Sequence, residues 1–381
     1  MYVSFLICGG LCLAYGWIIL RRWWAWLRVP DVVPTVAVPT TFISVIIPVR
    51  NEARHILNLL ADLEQQTYAK SGFEVVVVDD HSEDNTVDLV QNFKKSSYLP
   101  VRLICLQEYI GLSQKKAAIT TAVTQAQGEL IVQTDGDCRV NPDWLLTIAQ
   151  FYEQTQAVCI SGPVCLIDNG DLFTRMQVVE FASLIGVGGA SMALGKPNMC
   201  NGANLAYTRK AFLDVQGYAG TEHVASGDDE FLMHKLAGKF PGQVLFLKSR
   251  ASMVYTAAQQ TIPAFVQQRI RWASKWPNYQ AAHIKTLAVL VFAVNLGLFW
   301  AIISYFFGGF TGPQTLGLYL FKFGIDGLFL LTVLLFFKRG RYILYQIPLQ
   351  FVYIPYVLYT ALRGLRGAYS WKGRQIEKVP V

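Results

Sequence analysis

The chain has 381 residues, of which 53% are hydrophobic and only 15% charged, a balance too apolar for an ordinary soluble enzyme of this size and one that implies a membrane component. Its formal net charge of +7 comes largely from Lys and Arg clusters beside apolar segments, where each is worth about 1 kcal/mol against an anionic leaflet; this fits a lipid bilayer as partner and no nucleic acid. The seven cysteines, Cys8, Cys12, Cys105, Cys138, Cys159, Cys165 and Cys200, form no C-x-x-C pair and no grouping with His, which argues against zinc and a disulfide framework and agrees with a reducing cytosol.

Residues 1–24 read as an N-terminal transmembrane anchor. Met1 to Leu20 is nearly uncharged, Arg21-Arg22-Trp23-Trp24 supplies a basic and aromatic cytoplasmic flank, and no small-residue cleavage site follows. Pro30, Pro34 and Pro39 then suggest a stiff extended spacer that lifts the next domain from the membrane.

Residues 41–257 have the composition of a globular domain. Strand-like runs at Ile43 to Pro48, Phe73 to Val78, Leu103 to Leu106 and Leu130 to Thr134 alternate with helix-like stretches at Arg54 to Gln66, Asp84 to Phe93 and Ser113 to Ala126. The run at 73–78 shows no polar alternation, as in a strand buried on both faces, and the βα alternation predicts a mostly parallel α/β sheet. Ligands of such sheets bind beyond the carboxyl ends of the strands. There the chain places Arg50-Asn51-Glu52, Asp79-Asp80 and Asp135-Gly136-Asp137.

Asp135 and Asp137, one residue apart on an extended strand end, would point to the same side and address one Mg²⁺ or Mn²⁺ that holds a substrate diphosphate. The alternative is a turn in which the carboxylates cap backbone amides. Neither G-x-G-x-x-G nor G-x-x-x-x-G-K-[ST] follows the first strand, which argues against a dinucleotide-binding dehydrogenase and a P-loop hydrolase. Asp228 is a candidate general base whose pKa Asp229, Glu230 and partial desolvation would raise; it is equally suited to the N-terminal turn of a helix over 230–236.

Beyond the globular domain, residues 258–285 read as interfacial helices, and 286–310 and 316–337 as transmembrane helices separated by the uncharged Thr311 to Thr315 and closed by Lys338-Arg339-Gly340-Arg341. The segment 342–362, with Pro348 and Pro355, is re-entrant or transmembrane, and 363–381 is a basic cytoplasmic tail. Leu172 to Leu194 is apolar, yet Gly186, Gly188 and Gly189 make it too broken for a span, so it is expected along the membrane surface.

Five segments, Ser44 to Glu52, Val77 to Ser82, Asp135-Gly136-Asp137, Gly227 to Glu230 and Gln268-Arg269-Ile270-Arg271-Trp272, together resemble the membrane-bound branch of the inverting family 2 glycosyltransferases, the ceramide glucosyltransferase-like and polysaccharide synthase-like enzymes, over Ile43 to Trp276. The resemblance implies a GT-A fold, Rossmann-like with a mostly parallel sheet, carried between N- and C-terminal transmembrane helices. It implies a UDP- or GDP-linked sugar donor contacted by Pro48, Arg50, Glu52, Asp79, Asp80, Lys115, Asp135, Gln268, Arg271 and Trp272. A divalent metal would sit on Asp137 and Asp135, the base would be Asp228 or Asp229, and Asn201, Gly202, Asn204 and Trp272 would face the acceptor. Gly227 departs from the pattern, since many relatives have Glu before the catalytic Asp, and the choice between Asp228 and Asp229 stays open.

The expected activity is transfer of one sugar, with inversion, to a membrane lipid by a domain on the cytoplasmic side of a bacterial inner membrane. A processive polysaccharide synthase subunit is the alternative, and a catalytically idle scaffold or lipid-binding protein a further one. The bland reading of 259–283 is an amphipathic interfacial helix, and of Asn201-Gly202 a turn.

Overall fold

The computed structural model describes residues 2–108, 114–222, 224, 226–365, 369–371 and 374–376. The chain divides into two compact units. A helical unit comprises Met1–Arg28, Asp168–Ala190 and Ala258–Val381, and a sheet unit comprises Val29–Ile167 and Ser191–Ala257.

After helix α1 (Tyr2–Arg28) the chain enters the sheet unit through β1 (Ile43–Val49), α2 (Ile56–Glu64), β2 (Phe73–Asp79), α3 (Thr86–Ser96), β3 (Val101–Cys105), α4 (Gln114–Gln125) and β4 (Leu130–Gln133). It continues through β5 (Arg139–Val140), α5 (Trp144–Thr155), β6 (Cys159–Ser161) and β7 (Val164–Ile167), leaves in α6 (Leu172–Ala193), and returns as β8 (Leu205–Thr208), α7 (Arg209–Asp214), α8 (Asp228–Lys239), β9 (Val244–Phe246) and β10 (Val254–Ala257).

The main sheet has the order β3-β2-β1-β4-β8-β6-β9. Its first four strands are parallel, β8 runs antiparallel to β4 and β6, and β9 is parallel to β6. Every residue of β1 and of β2 is buried, which is why these strands are mostly apolar and show no alternation; the buried Ser44 donates to Glu74 at 2.6 Å across the pair. Their register ends on Val49 against Asp79, and the Asp80 amide donates to the Val49 carbonyl at 2.8 Å. The two acidic loops therefore leave the sheet side by side. A second sheet, β5-β10-β7, packs the later part of the unit.

The proline-rich segment after α1 is not a spacer standing free of the domain. Gln150 of α5 brackets Thr35, accepting from its amide at 3.0 Å and donating to its carbonyl at 2.9 Å. Glu153 accepts from the amides of Thr40 and Thr41 at 2.7 and 2.9 Å, and Val32 donates to the Lys248 carbonyl at 2.8 Å. Prolines hold the backbone extended, and side chains of α5 use the amides that an extended chain leaves unpaired.

In the helical unit α6 is joined by α9 (Ile262–Ala273), α10 (Ala282–Phe306), α11 (Gly312–Phe336), α12 (Gln346–Leu365) and the hairpin β11 (Tyr369–Trp371) and β12 (Arg374–Ile376). Four of its helices, α1, α6, α10 and α11, are long and apolar enough to cross a membrane. The glycines of α6 do not break it. A Cβ at Gly186 would lie 2.5 Å from Val333 Cγ2, so this glycine permits close approach to α11 rather than interrupting the helix. Thr311, expected in a loop, caps α11 in a reciprocal pairing with Gln314. The segment that carries Pro348 and Pro355 is one helix, α12, with Pro348 in its first turn, where no intrahelical amide is needed. Of the expected basic tail, residues 366–368, 372–373 and 377–381 lie outside the described residues, as does Ser113 at the expected start of α4.

Candidate active site

The carboxyl ends of β1, β2 and β4, the loop before β8 and the first turn of α8 supply the candidate site within the sheet unit. Lys115, in the first turn of α4, is its centre. Its Nζ lies 2.7 Å from Asp135 Oδ1 and 3.3 Å from Asp228 Oδ2. Gln133, the last residue of β4, donates from Nε2 to the same Asp228 oxygen at 3.0 Å. Burial pushes the Lys115 ammonium down, but Asp135 and Asp228 outweigh it and hold the group well above its usual range.

The expectation that Asp228 has a raised pKa is not met. Burial acts in that direction, but the Lys115 charge and the Gln133 hydrogen bond outweigh it, and the carboxyl is held below its ordinary value. Sequence proximity to Asp229 and Glu230 misled, because the decisive neighbours come from α4 and β4. Asp229 projects differently: its Oδ2 accepts from the Gly202 amide at 2.9 Å, its Oδ1 from the Glu230 amide at 2.8 Å, and it is only partly buried. Gly227 precedes the pair with φ of 80°, a left-handed conformation that a Glu at this place would adopt only under strain.

Asp135 and Asp137 are not on an extended strand. β4 stops at Gln133, and the Cys138 amide donates to the Asp135 carbonyl at 3.1 Å, closing a turn. Strand alternation therefore does not set the directions of the two carboxylates, although both remain partly exposed at the strand end. Gly136 is needed for close approach: a Cβ there would meet Val49 Cγ1 at 2.9 Å and Glu52 Cγ at 3.1 Å. Glu52 is thus packed against the Asp-Gly-Asp turn, and its amide donates to Thr86 Oγ1 at 2.8 Å.

Asp79 and Asp80 are buried. Asp79 Oδ2 caps the Ser82 amide at 3.0 Å, while its Oδ1 has no hydrogen-bond partner among the described residues, a costly state for a buried carboxylate that a ligand donor would relieve. Arg50 donates to the carbonyls of Asp80 and His81, both at 2.8 Å, and pairs with Glu83 at 3.2 Å; it shapes the loop after β2. Pro48 contributes backbone in β1, level with Val78.

On the expected acceptor side, Gly202 lies beside the Lys115 cluster, where a Cβ would come within 3.2 Å of Gln133 Nε2 and 3.4 Å of both Asp228 Oδ2 and Lys115 Nζ. Asn201 caps the short turn by accepting from the Ala203 amide. Asn204 is interior: it donates to the carbonyls of Pro163 and Ser252 and accepts from Trp144 Nε1, so its role is to join the two sheets' loops. Gln133 was missed by sequence reasoning. Its signal was a polar residue ending the otherwise apolar Leu130-Ile131-Val132, and it is fully buried.

Gln268, Arg271 and Trp272 lie on α9 in the helical unit. Among the described residues no group of three or more His, Cys, Asp or Glu side chains is arranged to hold a metal alone. Two hard carboxylates at a strand end suit a cation that takes its other ligands from phosphate and water.

Two family descriptions match the chain: Glycosyl transferase family 2 over residues 44–215 and Glycosyl transferase family group 2 over residues 130–362. The chain belongs to glycosyltransferase family 2. Among curated members, Glycosyltransferase AglE of Haloferax volcanii is 31% identical over 196 residues, 49% of this chain and 59% of that protein. Poly-beta-1,6-N-acetyl-D-glucosamine synthase of Staphylococcus epidermidis is 24% identical over 272 residues, 68% of this chain and 63% of that one. The chain thus spans about three fifths of the length of these relatives. A solved structure, the mannosyltransferase PcManGT from Pyrobaculum calidifontis in complex with GDP-Man and Mn²⁺, superposes with a TM-score of 0.62 at 21% identity, covering 92% of this chain and 99% of that one. This likeness shows that the glycosyltransferase shares its GT-A fold.

Proposed function

We propose that this glycosyltransferase moves a single sugar with inversion from a UDP- or GDP-linked donor to a membrane lipid, with its sheet unit facing the cytoplasm of a bacterial inner membrane. The observation that carries the reading is the gathering of Asp135 and Asp228 around Lys115, at 2.7 and 3.3 Å from its ammonium, beside Asp229 and the Glu52-packed Asp-Gly-Asp turn. Stability gives no reason for so many carboxylates at one sheet edge, whereas a diphosphate donor with a cation does.

In this reading Asp79, with its unpartnered buried oxygen, and Asp80 receive the nucleotide, with Glu52 beside them and Pro48 and Arg50 shaping the loops. Asp137 and Asp135 would hold Mg²⁺ or Mn²⁺, which when bound offsets the charge developing on the departing diphosphate. Lys115 supplies a fixed positive charge at the same place. Asp229 takes the proton of the acceptor hydroxyl, because Asp228 is committed to Lys115 and Gln133, while the Gly202 and Glu230 amides orient Asp229. Asn201 and Gly202 border the acceptor; Gln268, Arg271 and Trp272 serve donor and acceptor recognition. The four long apolar helices support a lipid acceptor.

A second reading, a processive polysaccharide synthase, is favoured by the similarity to the Staphylococcus epidermidis synthase. One experiment separates the two. The purified full chain is offered UDP- and GDP-sugars with Mn²⁺ and a total lipid extract, and products are examined by mass spectrometry. A lipid heavier by one sugar supports the proposal, a ladder of additions supports the synthase, and no donor turnover with any nucleotide sugar rejects both.

A further inference from the structure

The Q-x-x-R-W segment holds a residue that the motif leaves unspecified and the structure makes central. Arg269 is almost wholly buried, as is Glu180 of α6, with side-chain exposures of 6% and 5%. The two form a bidentate pair: Arg269 Nε donates to Glu180 Oε1 at 2.9 Å and Nη2 to Oε2. Tyr356 of α12 donates to Glu180 Oε1 at 2.6 Å. One carboxylate therefore joins three helices far apart in sequence, and the remaining faces of the Arg269 guanidinium are spent on the motif. Nη1 donates to Gln268 Oε1 at 2.5 Å. The guanidinium plane lies over the Trp272 ring, 4.3 Å from its centroid, and over Phe265 at 4.4 Å, while Phe181 approaches Trp272 from α6 with ring centroids 6.2 Å apart. Positions 265, 269 and 272 fall on one helix face.

We propose that Arg269 is a positioning residue for sugar transfer: clamped by Glu180 and Tyr356, it fixes the side chains of Gln268 and Trp272. Lysine does not replace it, because only the planar fork serves a carboxylate with two donors while stacking on an indole and retaining a third donor for an amide oxygen. A buried pair of this kind is weak evidence for stability, and here it also orders the two motif side chains. The inference rests on the reading that Gln268 and Trp272 serve transfer.

The test is a double-mutant cycle on the detergent-solubilised full chain, with UDP-N-acetylglucosamine and GDP-mannose as probes and nucleotide release by whichever the wild type turns over as the readout. Arg269→Ala should lower kcat by roughly 100-fold, as for a displaced positioning group, with the donor KM changed less than about threefold, and Arg269→Lys should recover only part of the loss. Adding Arg269→Ala to Gln268→Ala or to Trp272→Ala should then cost little more than either alone. If Arg269→Ala loses the wild-type melting transition, the cycle is run with Arg269→Lys. Losses that multiply in the double variants overturn the positioning role while leaving the motif's role intact. Wild-type turnover in both Gln268→Ala and Trp272→Ala overturns the motif's role itself, and the inference with it.

Discussion

Replacing Lys115 by Met removes the charge and keeps most of the volume, and the structure sets both the size and the pH dependence of the effect. Asp228, with a side chain 11% exposed, loses a partner at 3.3 Å; Asp135, 37% exposed, loses one at 2.7 Å. Breaking a buried pair costs about 3–5 kcal/mol, and the exposed partner contributes little of it, so about 3 kcal/mol is expected, nearly all from Asp228. At about 2–4 °C per kcal/mol for a unit of this size, the melting temperature of Lys115→Met should fall by roughly 10 °C at pH 8. Acid should close this gap. In the wild type the Asp228 pKa is depressed, so its favourable contribution is present above the ordinary carboxylate value and is lost as pH falls through the folded value. In the variant, burial is opposed by the Gln133 hydrogen bond and the weaker pull of the Lys116 charge but no longer by Lys115, so the pKa rises and protonation relieves the buried charge at a higher pH. Differential scanning fluorimetry between pH 8 and pH 5 should show the two proteins converging. A gap that is constant or widens with acid would refute the assignment of Lys115 as the group that holds Asp228 ionised.

Gly162→Ala should destabilise the sheet unit by about 3 kcal/mol in chemical denaturation, because a Cβ would sit 2.3 Å from Asn204 Nδ2 and displace an amide that makes three buried hydrogen bonds. Glu153→Gln should speed hydrogen exchange at the Thr40 and Thr41 amides by about tenfold, with exchange elsewhere in the sheet unit unchanged. Asp229→Asn should abolish transfer while leaving Mn²⁺-dependent donor binding within about threefold of wild type, measured by calorimetry; full transfer would return the base to Asp228. Asp137→Ala should abolish the Mn²⁺ dependence of donor binding measured by calorimetry, and EDTA should weaken donor binding of the wild type to the same level.

The parallel sheet was legible because β1 and β2 are buried on both faces and their sequences carry the uninterrupted β-branched runs that such burial demands. The acidic loops were legible for a related reason: charged residues directly after a buried strand must lie at its end. Less could be read where the answer lay in a neighbour remote in sequence. The ionisation of Asp228 is set by Lys115 and Gln133 rather than by Asp229 and Glu230. The fate of the proline-rich segment depends on Gln150 and Glu153, and the continuity of α6 through its glycines depends on Val333 and Phe329 packing against Gly186.

By itself the sequence determined which segments are apolar enough to form buried strands or long helices, and which carboxylates stand at strand ends, since these follow from local composition and period. Only the tertiary structure decided which carboxylate is paired, which asparagine is interior and which arginine of the Q-x-x-R-W segment is clamped. Burial and pairing depend on atoms brought together by folding, and in a medium of low dielectric those few ångströms outweigh what adjacent residues contribute.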